Sequence, residues 1–287
     1  MSLADETEWA RVCLYGRYGT GKTTDLASGA HLGTVVHVDA EKRLKAGPLR
    51  RLGIPVERIE PFRDITYEDL DKLIWDVKGR LYDEPGSVAC LGVDGVDEII
   101  KVFVRAVLTR NVAKSKARAA KRGEEVDINQ FQIDLDYWGE MSEQVGRLLR
   151  HTRDLECHLL FTSHERRDID GDGEVTYGPA ATPAVQSDLM GYVDILGHTG
   201  LKLGWYVADF SPTGKYQAKD TFGVLPATMA NPTMDRIVAY VREELTVETD
   251  PIQQKFMEEV AAHASELTDA VLAEGGDSPR RRRRSAT

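Results

Sequence analysis

The chain carries one complete G-x-x-x-x-G-K-[ST] pattern, Gly16-Arg17-Tyr18-Gly19-Thr20-Gly21-Lys22-Thr23, between an apolar run at Arg11 to Tyr15 and a helix-compatible run at Thr24 to Leu32. No other feature restricts the fold as far. Such a loop works where a strand delivers the chain to it and a helix carries it away, which demands an α/β layer. Its glycines let backbone N–H groups turn around phosphate oxygens, Lys22 can reach the terminal phosphates, and the Thr23 hydroxyl can ligate magnesium. The helix beginning near Thr24 adds its positive end. The implied ligand is a nucleoside triphosphate with Mg2+.

At 287 residues the chain can bury one sizeable core, so the expectation is a single large α/β domain with a decorated C-terminus. No apolar run approaches the roughly 18 residues needed to span a bilayer, so no membrane partner is expected. Met1 to Glu8 is acidic and lacks the basic and apolar regions of a signal peptide, which points to the cytoplasm. Cys13, Cys90 and Cys157 sit in or beside apolar strand-like runs without metal-ligand spacing, and read as reduced core residues.

Apolar runs at Arg11 to Tyr15, Thr34 to Val38, Val88 to Val93 and His158 to Ser163 alternate with helix-compatible segments, the pattern of a mostly parallel sheet flanked by helices. Tyr67 to Leu81 and Trp138 to Leu155 carry apolar residues at helical spacing. After His164 the character changes. Asp168 to Val175 has the Asp-Gly signature of a hairpin turn, and Val193 to Phe222 reads as short β runs between Gly or Pro turns. Asp250-Pro251 signals a helix start, and the helix is expected to reach about Ala273. The expected division is a leader at 1–10, an ATPase domain at 11–246, a C-terminal helix at 247–274 and a disordered basic tail at 275–287.

A magnesium-dependent phosphoryl-transfer site needs an acidic residue at the end of a second strand. Asp94, closing the run Val88 to Val93, fits this Walker B role. Many ring ATPases place a glutamate directly after that aspartate, but here the neighbour is Gly95. The base that activates water must come from elsewhere. Glu41, at the end of Thr34 to Val38 in a position expected beside the P-loop, could reach a water in line with the γ-phosphate, with Asp97 and Glu98 as reserves.

The segment Val36-His37-Val38-Asp39-Ala40-Glu41-Lys42 resembles the second-strand motif of the RecA-like recombinases, whose Glu is the catalytic base. The resemblance covers roughly Arg11 to Gly223 and implies a RecA-like P-loop NTPase core binding ATP and Mg2+ between subunits of a ring or filament. His164, ending the run Cys157 to Ser163, stands where the family has a polar γ-phosphate sensor. RecA has a glutamine there, and the wording Thr-Ser-His-Glu is closer to phage RecA-like proteins of the Sak type. Lys215 and Lys219 fall on a late β run where RecA-like and DnaB-like proteins carry basic residues that reach the neighbour's ATP. Thr221 stands where the arginine finger would be.

The net charge is -10, yet Lys101 to Arg122 holds eight basic residues and no acidic one. Arg110, Lys114, Arg118 and Arg122 would share one face of a helix, with Lys116 and Lys121 beside them, and could track a phosphate backbone. The segment follows the Walker B strand as the first DNA-binding loop of RecA-like proteins does. The second would be Glu165 to Asp188, offering Arg166 and Arg167. Five arginines, Arg280 to Arg284, either bind nucleic acid or stay solvated. The function this implies is an ATP-dependent, single-stranded-DNA-binding recombinase or annealing ATPase of phage type. A DnaB-like helicase or loader, and a nucleotide-gated interaction module without DNA binding, are the competing readings.

Overall fold

The structure, a computed structural model, describes residues 8–123, 135–169 and 173–275. The elements run β1 (Arg11–Gly16), α1 (Lys22–Ala27), β2 (Val35–Asp39), α2 (Ala46–Arg51), β3 (Ile59–Phe62), α3 (Tyr67–Asp83), β4 (Cys90–Asp94), α4 (Val96–Arg122), α5 (Leu135–Arg153) and β5 (His158–Ile169). They continue as β6 (Val175–Pro179), α6 (Pro183–Tyr192), β7 (Ile195–Lys202), β8 (Trp205–Asp209), β9 (Lys219–Asp220), β10 (Thr228–Ala230), α7 (Met234–Val241) and α8 (Pro251–Gly275). The sheet order is β10-β8-β7-β1-β5-β4-β2-β3, with β6 on β5 and β9 on β7. From β7 to β3 all neighbours are parallel, while β6, β8, β9 and β10 pair antiparallel. This is the expected α/β sheet with a hairpin-rich C-terminal edge.

The strand period of two divides the core. Cys13, Tyr15, Val36, Val38, Leu91, Val93, Leu159 and Phe161 face one side, beneath α3, α4 and α5. Val12, Leu14, Val35, Cys90 and Leu160 face the other, against α1 and α7. Thr66 caps α3 by accepting the Asp69 N–H at 3.1 Å, and Leu70, Ile74, Val77 and Leu81 form its buried stripe. All three cysteines are buried and free. No described helix is long and apolar enough to cross a membrane.

Two expectations change. The basic segment after β4 is part of the long helix α4, with no loop between strand and helix beyond Gly95. Its first half buries Ile99, Ile100, Phe103 and Val107, and of residues 112–122 only Ala119 is buried, so that half projects its cations outward. The expected helix Thr24 to Leu32 tightens after Ala27 into a 3-10 turn at Ser28–His31. Helix α8 starts where Asp250-Pro251 predicts and packs Phe256, with Ile252 and Val260 beside it, on Val207 and Ala230. The tail from 276, including Arg280 to Arg284, lies outside the described residues, as do residues 1–7.

Candidate active site

Register brings the site together. Gly16 is level with His164 across β1 and β5, Asp94 with Thr162 across β4 and β5, and Asp39 with Asp94 across β2 and β4. Gly16, Asp39 and Asp94 close their strands, while β5 does not end at His164 as expected but runs on to Ile169 in a hairpin with β6. Its parallel-paired part ends at His164, so all lie at the carboxyl edge of the parallel sheet, where open α/β sheets bind ligands. Strand β2 is not next to β1, because β5 and β4 intervene. Glu41 therefore reaches the loop from beyond its strand, on a turn. Asp39, fully buried, fixes that turn: its Oδ1 accepts the Arg43 N–H at 2.8 Å and the Leu44 N–H at 3.4 Å, while Arg63 Nε donates to Oδ2 at 3.0 Å.

The loop between β1 and α1 bows around a cleft lined by Tyr18, Gly19, Thr20, Gly21, Lys22, Thr23, Thr24, Glu41, Arg43, Asp94, His164 and Tyr206. Gly16 is required by close approach, since a Cβ there would stand 2.4 Å from the Thr199 carbonyl oxygen. Gly21 sits at φ 89° as it caps α1, a region that disfavours side chains. Lys22 Nζ donates to the carbonyls of Gly16 at 2.9 Å and Arg17 at 2.7 Å, and to Thr20 Oγ1 at 3.3 Å. Burial lowers the Lys22 pKa, against the pull of Asp94, Glu41, Asp97 and Asp25. An ammonium held in this way gains from any anion entering the cleft.

Thr23 Oγ1 donates to Asp94 Oδ2 at 2.7 Å, and Thr162 Oγ1 donates to Asp94 Oδ1 at 2.5 Å. Burial alone would raise the Asp94 pKa, but the His37 imidazole 3.8 Å away and these two hydroxyls outweigh it and hold the carboxylate ionised. A hydroxyl beside an ionised carboxylate at the end of a P-loop is the donor set that magnesium on a nucleoside triphosphate takes. With Lys22 in the same cleft, the residues present fit that ligand.

Glu41 Oε1 lies 3.6 Å from His164 Nε2, and Glu41 Oε2 is 3.0 Å from Arg43. On its other edge His164 Nδ1 bonds Asp97 Oδ2 at 2.8 Å, and its backbone N–H reaches Asp97 Oδ1 at 3.3 Å. Asp97, expected only as a reserve base, instead orients the imidazole. These three residues each place a metal-ligating atom within 4.8 Å of the others, but Asp97 occupies the imidazole edge opposite Glu41, so the trio reads as an orienting chain. Tyr18 lies against the His164 ring, centroids 3.9 Å apart. The position after Asp94 explains the missing neighbour. A Cβ on Gly95 would stand 3.3 Å from Glu41 Oε1 and 3.1 Å from Asp97 Oδ1, so the Glu41 carboxylate occupies the space a side chain at 95 would enter.

The other expected residues are spread more widely. Arg17 is exposed and pairs with Glu165 at 3.0 Å, and Glu165 pairs in turn with His198 at 3.0 Å. Lys219 Nζ donates to the carbonyls of Val193 at 2.7 Å and Met190 at 3.4 Å, so its ammonium is engaged in its own chain. Lys215 is exposed and lies over the rings of Tyr177 and Tyr216. Arg110, Lys114, Lys116, Arg118, Lys121 and Arg122 are exposed on α4, with Arg110 paired to Glu140 of α5. Arg166 donates to the Ala181 carbonyl at 2.6 Å and pairs with Asp168 at 2.9 Å, and Arg167 is exposed. Sequence reasoning missed Arg43 and Tyr206 in the cleft, and no motif marks either.

A second groove adjoins the cleft and shares Tyr18 and His164 with it. Lys101 and Arg105 of α4, Trp138 of α5, and Arg166 and Thr182 beside the β5–β6 hairpin line its walls, with Ile100 and Val104 at its floor.

Residues 8–222, about three quarters of the chain, match the sequence model of a protein family described as AAA domain. No curated protein matches the chain.

Proposed function

The chain belongs to the AAA-domain family of P-loop ATPases, and we propose that it hydrolyses ATP and couples that hydrolysis to a bound single strand of DNA. The observation that carries this reading is the groove beside the cleft: Arg105 is exposed in its wall for a phosphate, Trp138 offers a stacking face, Lys101 and Arg166 add cations that would exchange their pairs with Asp97, Glu98 and Asp168 for a phosphate backbone, and Tyr18 and His164 form the shared wall. A strand seated there would press on His164, whose Nε2 lies 3.6 Å from Glu41 Oε1. The resemblance of Asp39-Ala40-Glu41 and Thr162-Ser163-His164-Glu165 to phage RecA-like proteins supports a role in annealing or strand exchange, performed by a multimer.

In the proposed reaction the loop backbone and Lys22 hold the phosphates. Thr23 would hold magnesium, with Asp94 ordering its water shell, and the ion would supply positive charge against the terminal phosphates. Glu41 orients a water and accepts its proton. The water oxygen bonds to the γ-phosphorus, the bridging P–O bond breaks, and ADP and inorganic phosphate leave. His164, oriented by Asp97, senses the terminal phosphate beside Glu41 and passes its presence to the groove.

The test is a titration of the full chain with a fluorescent single-stranded oligonucleotide, with and without a non-hydrolysable ATP analogue, across a salt series. Binding should weaken steeply with salt and change with the analogue. Absence of binding at low salt, where phosphate contacts are strongest, refutes the DNA reading and leaves an ATPase acting on proteins. ATP-driven unwinding of a forked duplex would make it a helicase.

A further inference from the structure

Among the described residues, two cations line the nucleotide cleft, Lys22 from the loop and Arg43 from the turn after β2. Lys22 belongs to the phosphate-binding pattern, while nothing in the sequence marks Arg43. We propose that Arg43 is the arginine of this active site, supplied by the same subunit, and that it recognises the terminal phosphate and stabilises the charge that develops there during hydrolysis. The inference rests on the ATPase reading above and adds a residue to it.

The turn is built to present this side chain. Asp39, fully buried, accepts the Arg43 backbone N–H and is itself held by Arg63, so the base of Arg43 is fixed although its guanidinium is exposed. Lys42 adopts φ 55°, a left-handed conformation that costs a non-glycine residue on the order of 1 kcal/mol. The consequence is directional: Glu41 and Arg43 both line the cleft, and the intervening Lys42 does not. The guanidinium is 3.0 Å from Glu41 Oε2 and 5.7 Å from the centroid of the Tyr18 ring.

A guanidinium in this place has work to do. Magnesium and Lys22 counter only part of the charge on a triphosphate, and P-loop enzymes complete the balance with an arginine. The late β run offers none, because Thr221 stands at the expected position and the Lys219 ammonium is bonded to carbonyls of its own chain. Arg43 brings a planar fork of N–H donors that fits two phosphate oxygens. Its present partner is the Glu41 carboxylate. A terminal phosphate carries more negative charge than a carboxylate, so the γ-phosphate of a triphosphate, reaching toward Glu41, draws the guanidinium off it and frees that oxygen to take a proton from water, whereas a diphosphate has no group to place there. The pairing thereby ties release of the base to the presence of the phosphate to be cleaved.

The experiment measures ATP and ADP affinity by calorimetry, and steady-state turnover, for the wild type and for Arg43→Ala and Arg43→Lys, with thermal unfolding as a folding control. Arg43→Ala should weaken ATP binding about tenfold, leave ADP binding unchanged, and lower kcat by about 100-fold. Arg43→Lys should restore part of the ATP affinity and little of the turnover, because an ammonium lacks the fork. Mixing Arg43→Ala with Lys22→Ala subunits should recover no activity, since each site needs both residues from one chain. Recovery on mixing would place Arg43 in the neighbour's site and overturn the same-subunit assignment. Normal turnover and an unchanged ATP-to-ADP preference in Arg43→Ala, with an active wild type, would overturn the inference alone. A wild type that neither binds nor hydrolyses ATP would instead sink the reading on which it rests.

Discussion

Gly95→Ala is the substitution that most directly probes why this site has a glycine after Asp94. Gly95 lies at φ -128° and ψ 132°, outside the left-handed region that favours glycine, so its φ and ψ do not call for one. Space does. The added Cβ would stand 3.3 Å from Glu41 Oε1 and 3.1 Å from Asp97 Oδ1, both inside comfortable contact, so the two carboxylates must each yield by a few tenths of an ångström. Glu41 is held by Arg43 at 3.0 Å and Asp97 by His164 at 2.8 Å, so neither can move without disturbing its partner. Misplacing a reacting group by 1 Å can cost about 100-fold, and a few tenths should cost roughly five- to tenfold in kcat, about 1 kcal/mol. ADP affinity should stay near wild type, because the added Cβ meets Asp97, Glu41 and the Thr162 carbonyl and touches neither Lys22 nor the loop. A kcat within twofold of wild type would refute the idea that Glu41 occupies the space emptied by Gly95.

Three further outcomes follow from particular contacts. His158 is buried, accepts the Ala10 N–H through Nδ1 at 3.0 Å and faces the Arg242 guanidinium at 3.2 Å; burial first, and that cation second, lower its pKa to about 4. The unfolded chain, with an ordinary histidine near 6.5, binds more protons below that value, so stability is full above about pH 6.5 and declines as pH falls toward 4, by about 3 kcal/mol in all. Denaturant unfolding at several pH values should show this component shrink in His158→Asn, whose side-chain oxygen can still accept the Ala10 N–H; an identical pH slope in both proteins contradicts it. Gly92→Ala would place a Cβ 2.2 Å from Leu26 Cδ2, inside the fully buried contact between β4 and the P-loop helix, and chemical unfolding should report a loss of about 2 kcal/mol. Trp138→Ala, in the groove wall, should weaken single-stranded DNA binding by about 1–3 kcal/mol while ATP affinity is unchanged; equal DNA affinity would remove the groove from the account.

The parts of the site that were legible in sequence are those whose function depends on local spacing. The phosphate loop reads from Gly16 to Thr23 because glycine, lysine and threonine must stand at fixed offsets, and Asp94 reads because an apolar run ends there. His164 and Glu41 were legible as residues following apolar strand runs, but their mutual contact was not. It depends on β4 and β5 lying between β1 and β2, and on a turn that carries Glu41 back over them. Asp97 bonds an imidazole 67 residues away, and its place in sequence shows only a helix start with an acid in the first turn. Arg43 owes its position to the buried Asp39 and the left-handed Lys42, neither of which has a sequence signature. The basic run after β4 was visible as charge, but whether it formed a loop or a helix was settled by the core contacts of Ile99, Phe103 and Val107.

Glu41, brought in from beyond β2, is proposed to do what a residue after the Walker B aspartate does in many ring ATPases. The most direct test compares wild type with Glu41→Gln in two measurements on the full chain, equilibrium ATP binding with magnesium and steady-state ATP hydrolysis. Glutamine keeps the size of the side chain and one acceptor oxygen for Arg43 but cannot accept the proton of water, so binding should remain within a few fold of wild type. Turnover should fall by roughly 100-fold or more. Hydrolysis at the wild-type rate by Glu41→Gln would contradict the account.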